Sequence, residues 1–290
     1  MSRTASATKK SRKSSSRATT RRRKRRGWRT ASTSDRHELY ELSVQNPEAE
    51  VDFIDRIFRK LRGHTPRLIR EDFCGTAAAS VAFVKRRRAN RAIGVDLDAS
   101  VLAWGRERLN ERLDADQRSR LELRRANVLT VRTPPVEAVL AMNFSYYIFK
   151  ERSKLLSYFR KVRAALAKGG LFLLDAYGGS DSFLEMEEER SMDGFTYVWD
   201  QHRYNPITGE AVNHIHFRFP DGTELKRAFT YDWRLWTLPE IRDLLTEAGF
   251  RRNTVYWEGA GEDGRGDGIF RPATRGDACE GWIAYIVAEP

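Results

Sequence analysis

Residues 67–98 read RLIREDFCGTAAASVAFVKRRRANRAIGVDLD, and this stretch decides the fold. Residues 67–69 begin a short strand, and residues 73–77 (FCGTA) are a run of mostly small side chains. Residues 78–88 have a helical composition, and residues 92–95 (AIGV) form a second buried strand that Asp96 closes. Because two parallel strands need a crossover between them, the stretch predicts a βαβ unit of an α/β fold.

A nucleoside-binding site is predicted at the end of this unit. Ligands of open α/β sheets bind beyond the carboxyl ends of the strands, and small residues in the first turn let a ligand approach the backbone. Asp96 lies 21 residues after Gly75, where an acid can accept hydrogen bonds from both ribose hydroxyls. Only Gly75 remains of the three glycines that seat a pyrophosphate, which argues against NAD and FAD.

The turn resembles the first motif of class I S-adenosylmethionine-dependent methyltransferases. That motif is an acid followed by three glycines at every second position. Here it aligns with residues 71–77 (EDFCGTA). Glu71 stands for the usual Asp, the Cys-Gly-Thr centre fits, and Phe73 and Ala77 replace two glycines. An ordinary βα turn in an unrelated α/β protein is the alternative.

The resemblance covers residues 67–178, where an apolar fifth strand follows a helix that ends in Gly-Gly. It implies an α/β fold with a Rossmann-like seven-stranded, mostly parallel sheet flanked by helices, and S-adenosyl-L-methionine as the cofactor. The cofactor-binding residues that it implies are Glu71, Phe73, Gly75, Thr76, Asp96, Leu97, Asn127, Val128 and Asn143.

The chain divides into four parts. Residues 1–34 are rich in Ser and Arg and nearly devoid of large apolar residues, which predicts a disordered basic tail. Residues 35–66 are expected to form a helical cover, and residues 67–180 and 231–290 the Rossmann-like domain. Residues 181–230 alternate like an antiparallel meander of about three strands, inserted after strand five. In the resembled family such an insertion commonly forms the substrate lid, and residues 259–276 are predicted to be a mobile loop.

Catalytic candidates follow the fourth strand, which ends at Met142. Polar residues at that strand end have no structural task in the sequence pattern, and the family keeps the residues nearest the methyl group there. Asn143 and Tyr146 are therefore candidates. Hydroxyl or carbon acceptors would need a base, for which His202 and His214 are further candidates.

A metal ion is not predicted. His214 and His216 share one face of a predicted strand, but no third ligand has matching spacing. Substrate contacts are predicted from aromatic and cationic residues of the cover, the strand ends and the insertion, which could clamp a substrate ring or carboxylate. The candidates are Tyr40, Tyr147, Tyr204, Tyr231 and Arg234, with Gln45 as a further cover residue.

The net charge of +12 belongs to the tail, because residues 1–27 hold twelve Lys or Arg and no acid. The remaining residues carry 52 − 12 = 40 basic side chains against 40 acidic ones. The tail predicts weak nucleic-acid contact, a nuclear address in a eukaryote, or, less in keeping with its composition, a mitochondrial presequence. Two cysteines without a disulfide or zinc pattern, no membrane-spanning run and no secretory signal favour the cytoplasm.

Three functions stay open at this point. The leading one is methyl transfer to a small molecule by in-line displacement. The second is methylation of RNA or protein, with Arg21 to Arg26 as an electrostatic handle. The third is a non-catalytic cofactor-binding module. The Asn-Pro-Pro-Tyr sequence typical of amino-methylating nucleic-acid enzymes is absent, which favours the first function, and the oligomeric state is left open.

Overall fold

The structure is a computed structural model that describes residues 29–260 and 266–290. The disorder predicted for the tail lies outside these residues, except at its end. Residues 29–34 are ordered, because Arg29 pairs with Glu38 at 2.9 Å and the Ala31 N–H donates to the Thr223 hydroxyl at 2.9 Å. Residues 29–34, which the sequence assigned to the tail, therefore contact the folded part of the chain.

The described residues form seven α-helices and twelve strands. The helices are α1 (Arg36–Ser43), α2 (Pro47–Arg62), α3 (Ala78–Arg86), α4 (Ala99–Arg112), α5 (Ala115–Ser119), α6 (Arg152–Ala165) and α7 (Leu238–Glu247). The strands are β1 (Leu68–Asp72), β2 (Arg91–Asp96), β3 (Leu121–Arg125), β4 (Val136–Ala141), β5 (Leu166–Gly178), β6 (Met186–Met192), β7 (Phe195–Tyr204), β8 (Glu210–Arg218), β9 (Glu224–Arg234), β10 (Arg252–Ala260), β11 (Gly266–Ala273) and β12 (Trp282–Glu289).

The main sheet has the order β11-β10-β12-β5-β4-β1-β2-β3. Strands β1 to β5 run parallel to one another, and β12, β10 and β11 are added antiparallel. The predicted α/β fold is confirmed, with eight strands in place of seven. The extra strand is β11, because residues 266–273 of the predicted mobile loop pair with β10 instead.

Helices cover both faces of this sheet. Along β4, Val139 belongs to the apolar cluster that α6 and α7 complete, whereas Leu140 belongs to the cluster with α2 and α3. Successive side chains of a strand point to opposite faces, so a continuous apolar run serves both layers. Each fully buried Leu or Phe stabilises this core by about 1.5–3 kcal/mol. Within the described residues, no helix has both the length and the apolar composition needed to cross a membrane.

The insertion is a separate antiparallel sheet with the order β6-β7-β8-β9, so it has four strands rather than the predicted three. The missed strand is β6, whose sequence MEEERSM is mostly charged and gives no apolar alternation. It is an edge strand, and charged side chains are typical of exposed edges. Strand β9 also continues to Arg234, beyond the predicted end of the insertion at residue 230.

Candidate active site

The turn between β1 and α3 keeps a tight left-handed geometry although two of its expected glycines are missing. Phe73, Gly75 and Ala77 have φ angles of 58°, 52° and 61°. The Gly75 N–H donates to Asp96 Oδ2 at 2.8 Å, which holds the turn against the end of β2. A Cβ atom added at Gly75 would meet no heavy atom within 4 Å, so the backbone here faces open space.

That space is a cavity of about 510 Å³ at the carboxyl ends of β1, β2 and β4. Six predicted cofactor residues line it, namely Glu71, Phe73, Gly75, Thr76, Asp96 and Asn143. The helical cover adds Arg36, His37, Tyr40 and Gln45. We call it the cofactor cavity.

Two buried polar atoms in this cavity have no hydrogen-bond partner among the described residues. They are Thr76 Oγ1 and Gln45 Oε1. A buried polar group without a partner is costly, and such groups mark places where a ligand completes the hydrogen bonding. Asp96 uses one lone pair of each oxygen for the N–H groups of Gly75 and Asp98, and it keeps acceptor capacity for hydroxyls. The residues present therefore fit a polar ligand with a ribose.

Glu71 provides a buried carboxyl group at the inner end of this cavity. Its Oε2 accepts hydrogen bonds from the backbone N–H and the hydroxyl of Ser80, the former at 2.9 Å. Desolvation by burial raises the pKa of Glu71 to about 7 against its ordinary 4.5, and the nearby charges of Asp96 and Asp72 act in the same direction. An acid in this position favours positive charge on a bound ligand.

The remaining predicted cofactor residues lie outside the lining of the cavity. Leu97 is 64% exposed, and Val128 is buried in the core. Asn127 is exposed, and its side-chain oxygen accepts from the Leu129 N–H at 2.9 Å. Their adenine contacts stay predictions.

The segment after β4 is held by Asp175 of β5, a residue that the sequence analysis did not single out. Its carboxylate oxygens accept from the N–H groups of Asn143 at 2.7 Å and Phe144 at 2.9 Å. Both residues have positive φ angles, 57° and 56°. Burial raises the pKa of Asp175 to about 7. An acid alone in the strand sequence LFLLDA was the available signal, because a buried carboxylate needs hydrogen-bond donors.

Tyr146 and Tyr147 have structural roles, which corrects their predicted positions in catalysis and substrate binding. Both are fully buried. The Tyr146 hydroxyl donates to the Asp175 carbonyl at 2.6 Å, and the Tyr147 hydroxyl donates to the Trp236 carbonyl at 3.1 Å. Burial raises the pKa of both phenols well above the usual value, and neither lines a cavity beside the cofactor.

His202 is also remote from the predicted chemistry. It is exposed in a separate depression on the insertion. Its Nδ1 lies 3.8 Å from a carboxylate oxygen of Asp200, and its ring centre lies 4.9 Å from that of His214. Asp200, His202 and His214 offer three ligand atoms within 4.8 Å of one another. Asp200 and His202 lie on β7 and His214 lies on β8, where it pairs with Asp200, so this grouping does not appear as a spacing along the sequence.

Arg234 and Tyr204 contact other residues of the chain. The Arg234 guanidinium donates to Glu240 at 2.9 Å and to the Lys150 carbonyl, and it lies 3.8 Å from the ring centre of Trp236. Tyr204 packs against Phe183, with their ring centres 5.3 Å apart. Neither residue lines the cofactor cavity, and their substrate contacts stay predictions.

A second cavity of about 400 Å³ lies between the insertion and the strand ends of the main sheet. Tyr40, Asn143 and Tyr231 line both cavities and so form their common boundary. Further walls are aromatic, and they come from Phe144, Tyr177, Tyr197, Trp199, Trp233 and Trp282. We call this the aromatic cavity. Period-two alternation in residues 195–199 was the sequence signal for Tyr197 and Trp199, because it places both on one face.

No protein-family model matches this sequence, and no curated protein matches it either. Solved structures of S-adenosylmethionine-dependent methyltransferases match this chain, and the chain has their fold, as the resemblance in residues 67–178 predicted.

One similar structure is a S-adenosylmethionine-dependent methyltransferase from Clostridium acetobutylicum, at 14% identity and a TM-score of 0.64, covering 87% of this chain and 97% of that chain. Another is CalS10, an amino pentose methyltransferase from Micromonospora echinaspora, at 15% identity and a TM-score of 0.61, covering 88% of this chain and 96% of that one. A third is the sugar N-methyltransferase KedS8 from Streptoalloteichus, at 17% identity and a TM-score of 0.59, covering 88% and 92%.

Proposed function

We propose that this protein transfers the methyl group of S-adenosyl-L-methionine to a small molecule bound in the aromatic cavity. The observation that carries the proposal is the shared boundary of the two cavities, formed by Tyr40, Asn143 and Tyr231. A donor on one side and an acceptor on the other would meet there. Methyl transfer needs this alignment above all, because positioning two reactants in line supplies much of the rate.

The chain's own residues have distinct tasks in this proposal. Asp96 accepts the ribose hydroxyls, and the Gly75 backbone gives the nucleoside room to approach. Gln45 and Thr76 offer their unpartnered oxygens to the polar end of the cofactor. The cofactor supplies an electrophilic methyl group on a positively charged sulfur, and the protein contributes orientation and exclusion of water. The fold shared with methyltransferases supports this assignment.

The acceptor is proposed to be a small molecule rather than RNA or protein. A volume of about 400 Å³ is in the range of small-molecule sites. The aromatic cavity has walls from the main sheet, the insertion and the helical cover, which favours a compact acceptor over an extended chain. Two similar structures are described as sugar and amino pentose methyltransferases, which supports the same substrate size.

The first test is cofactor binding by calorimetry with full-length protein and Asp96→Asn. We expect Asp96→Asn to weaken binding of S-adenosyl-L-methionine by about 1–3 kcal/mol, the cost of losing a partner for buried polar groups. Asp52→Asn, an exposed acid of α2 that pairs with Arg86, is the control and should bind normally. Equal affinity of the wild type and Asp96→Asn would contradict the assignment of Asp96 to the ribose site.

The second test follows labelled methyl from the cofactor into host extract that is separated by size. Label in the small-molecule fraction is the expected result. Label in RNA or protein would instead support the second function. Cofactor binding without any transfer, over several extracts, would support a binding module.

A further inference from the structure

The aromatic cavity contains acidic side chains and no basic ones. Asp181, Glu188, Glu258 and Glu280 line it, and none of the described residues in its lining is Lys, Arg or His. None of these four acids has an ion-pair partner within 4 Å among the described residues. By contrast, Glu187 and Glu189, the neighbours of Glu188 on β6, both pair with Arg218. Among the described residues, the lining of the cavity therefore carries negative charge without a positively charged partner in the lining itself.

The acid on β6 faces the aromatic wall directly. Glu188 is the register partner of Trp199 on β7, so the two side chains share one face of the insertion sheet. The Trp199 ring lies 5.9 Å from Tyr231, and Tyr231 lies 4.4 Å from Trp233. Ring faces attract a cation through their quadrupole, and a carboxylate adds direct charge attraction. This combination suits an alkylammonium group.

The bases that line the cavity are carboxylates, and none of its described lining residues is a histidine or a lysine that could deprotonate a hydroxyl acceptor. Burial raises the pKa of Tyr40 to about 12, and it also raises the pKa of Tyr177, Tyr197 and Tyr231. His202 and His216 of the insertion lie in a separate depression, and none of the described histidines lines the aromatic cavity. An alcohol would need help to lose its proton during transfer, whereas the neutral fraction of an amine already presents a lone pair.

We infer that the methyl acceptor is an amine, a deduction that rests on the proposed function. The amine nitrogen uses its lone pair to form the new N–C bond while the C–S bond breaks, and the electrons of that bond move onto sulfur. The nitrogen becomes a methylammonium and then releases one proton to water. The carboxylates and ring faces stabilise this positive charge as it develops, which is the arrangement that accelerates the step.

The test uses matched pairs of amine and alcohol as probes, with full-length protein and no cofactor. The pairs are benzylamine and benzyl alcohol, phenethylamine and 2-phenylethanol, and glucosamine and glucose. Binding is followed by tryptophan fluorescence and ligand-observed NMR. In at least one pair we expect the amine to bind about tenfold more tightly than the alcohol, with the advantage decreasing at high salt.

Glu188→Gln tests the position of the charge. It should weaken the amine about fivefold to tenfold and leave the alcohol and S-adenosyl-L-methionine unchanged. Glu187→Gln is the matched control, because Glu187 lies next along the same strand and pairs with Arg218 outside the cavity. Its amine affinity should equal that of the wild type.

Equal or tighter binding of the alcohols in every pair would overturn the inference, as would the absence of binding by every amine. Because these titrations contain no cofactor, they decide the acceptor class even where methyl transfer itself fails. With cofactor present, transfer to an amine should increase as the pH rises toward the pKa of that amine. Transfer to the alcohol partner alone would contradict the inference.

Discussion

In the turn after β1, Phe73 and Ala77 occupy the left-handed backbone region that glycine adopts at lower cost. A left-handed conformation costs an ordinary residue about 1–2 kcal/mol. Both side chains gain packing that offsets this cost. The Phe73 ring lies 6.0 Å from Phe149 and 5.6 Å from Tyr158, and the Ala77 methyl group is fully buried. The sequence revealed the turn, but only the structure shows that its geometry survives the loss of two glycines.

Gly75→Ala should separate the backbone from the binding role of the turn. The residue has φ 52° and open space at the Cβ position, so the added methyl group costs about 1 kcal/mol of stability and enters the cofactor cavity. We expect cofactor binding to decrease about tenfold or more. Thermal unfolding and calorimetry measure the two effects.

Gly63→Ala is the control for this change. Gly63 also has a positive φ, 79°, and open space, but it ends α2 away from the cavity. It should lose similar stability and keep full cofactor affinity. Equal losses of cofactor affinity in both variants would mean that backbone strain, and not the methyl group in the cavity, lowers the affinity.

Glu71 should make stability depend on pH. Its pKa is about 7 in the fold against 4.5 ordinarily, so the native state keeps a proton that the unfolded chain releases between these values. The stabilisation is complete below about pH 4.5 and is lost as the pH rises through about 7. Glu71→Gln has no such proton. The free energy of unfolding of this variant, relative to wild type, should rise by at most about 1.4 kcal/mol per pH unit across that window.

Urea denaturation at several pH values between about 5 and 8 measures this difference. Glu111→Gln, at an exposed position of α4, should follow the wild type. Parallel pH profiles of Glu71→Gln and wild type would show that the carboxyl of Glu71 does not titrate as its burial requires.

At the scale of elements, the parallel strands were predictable and the insertion was only partly so. Residues 138–141 form an apolar run that is typical of a strand buried on both faces, and they belong to β4. Strand β6 carries no apolar period because it is an exposed edge, and β11 arises from a Gly-rich segment that pairs only because β10 is present. Such strands depend on their neighbours, so their own sequences do not identify them.

The same limit applies to the candidate site. Asp96 and Gly75 could be found because their spacing within one βαβ unit is fixed. Tyr146 could not be excluded from catalysis by sequence, since its buried bond to Asp175 joins residues far apart in the chain. Glu188 stood in a segment without pattern, and its position in the aromatic cavity follows only from the pairing of β6 with β7.

Helix α1 connects the two sheets above the cofactor cavity. Glu41 forms a two-bond pair with Arg112 of α4, at 2.9 and 2.6 Å. On the other side, the Tyr40 ring lies 4.9 Å from Phe229 of β9. His37 lies between the rings of Trp104 and Phe229, at 5.4 and 5.6 Å. Helix α1 is therefore held on both sides of the cavity that it lines, and we expect its position to control access.

Glu41→Gln should loosen this helix. A partly exposed pair is worth about 1 kcal/mol, so we expect cofactor dissociation to accelerate about threefold to fivefold with little change in global stability. Stopped-flow fluorescence measures the rate. Glu48→Gln, which removes the exposed pair with Arg86 between α2 and α3, should leave the rate unchanged. An unchanged rate in Glu41→Gln would mean that the apolar contacts alone hold α1.

The net positive charge of the chain lies in residues 1–27, so truncation can separate the charged tail from the rest of the protein. Removing residues 1–27 deletes twelve positive charges and leaves a balance of 40 against 40. The cut preserves Arg29, which pairs with Glu38 of α1 and lies 5.9 Å from the ring centre of Phe195 in the insertion. We therefore expect the truncated protein to fold as the full chain does.

The truncated protein should keep its methyl transfer to small molecules within about twofold and lose its salt-dependent affinity for nucleic acid. The reason is that neutralising each duplex phosphate contributes a slope of about −0.9 to the logarithm of affinity against the logarithm of salt, and the remaining chain is neutral. Electrophoretic shift of an RNA duplex at several salt concentrations, beside turnover of an amine acceptor, measures both properties. A tail of scrambled sequence with the same composition is the control, and it should restore nucleic-acid affinity if charge alone is responsible. Loss of small-molecule turnover on truncation would instead place the tail in the catalytic function.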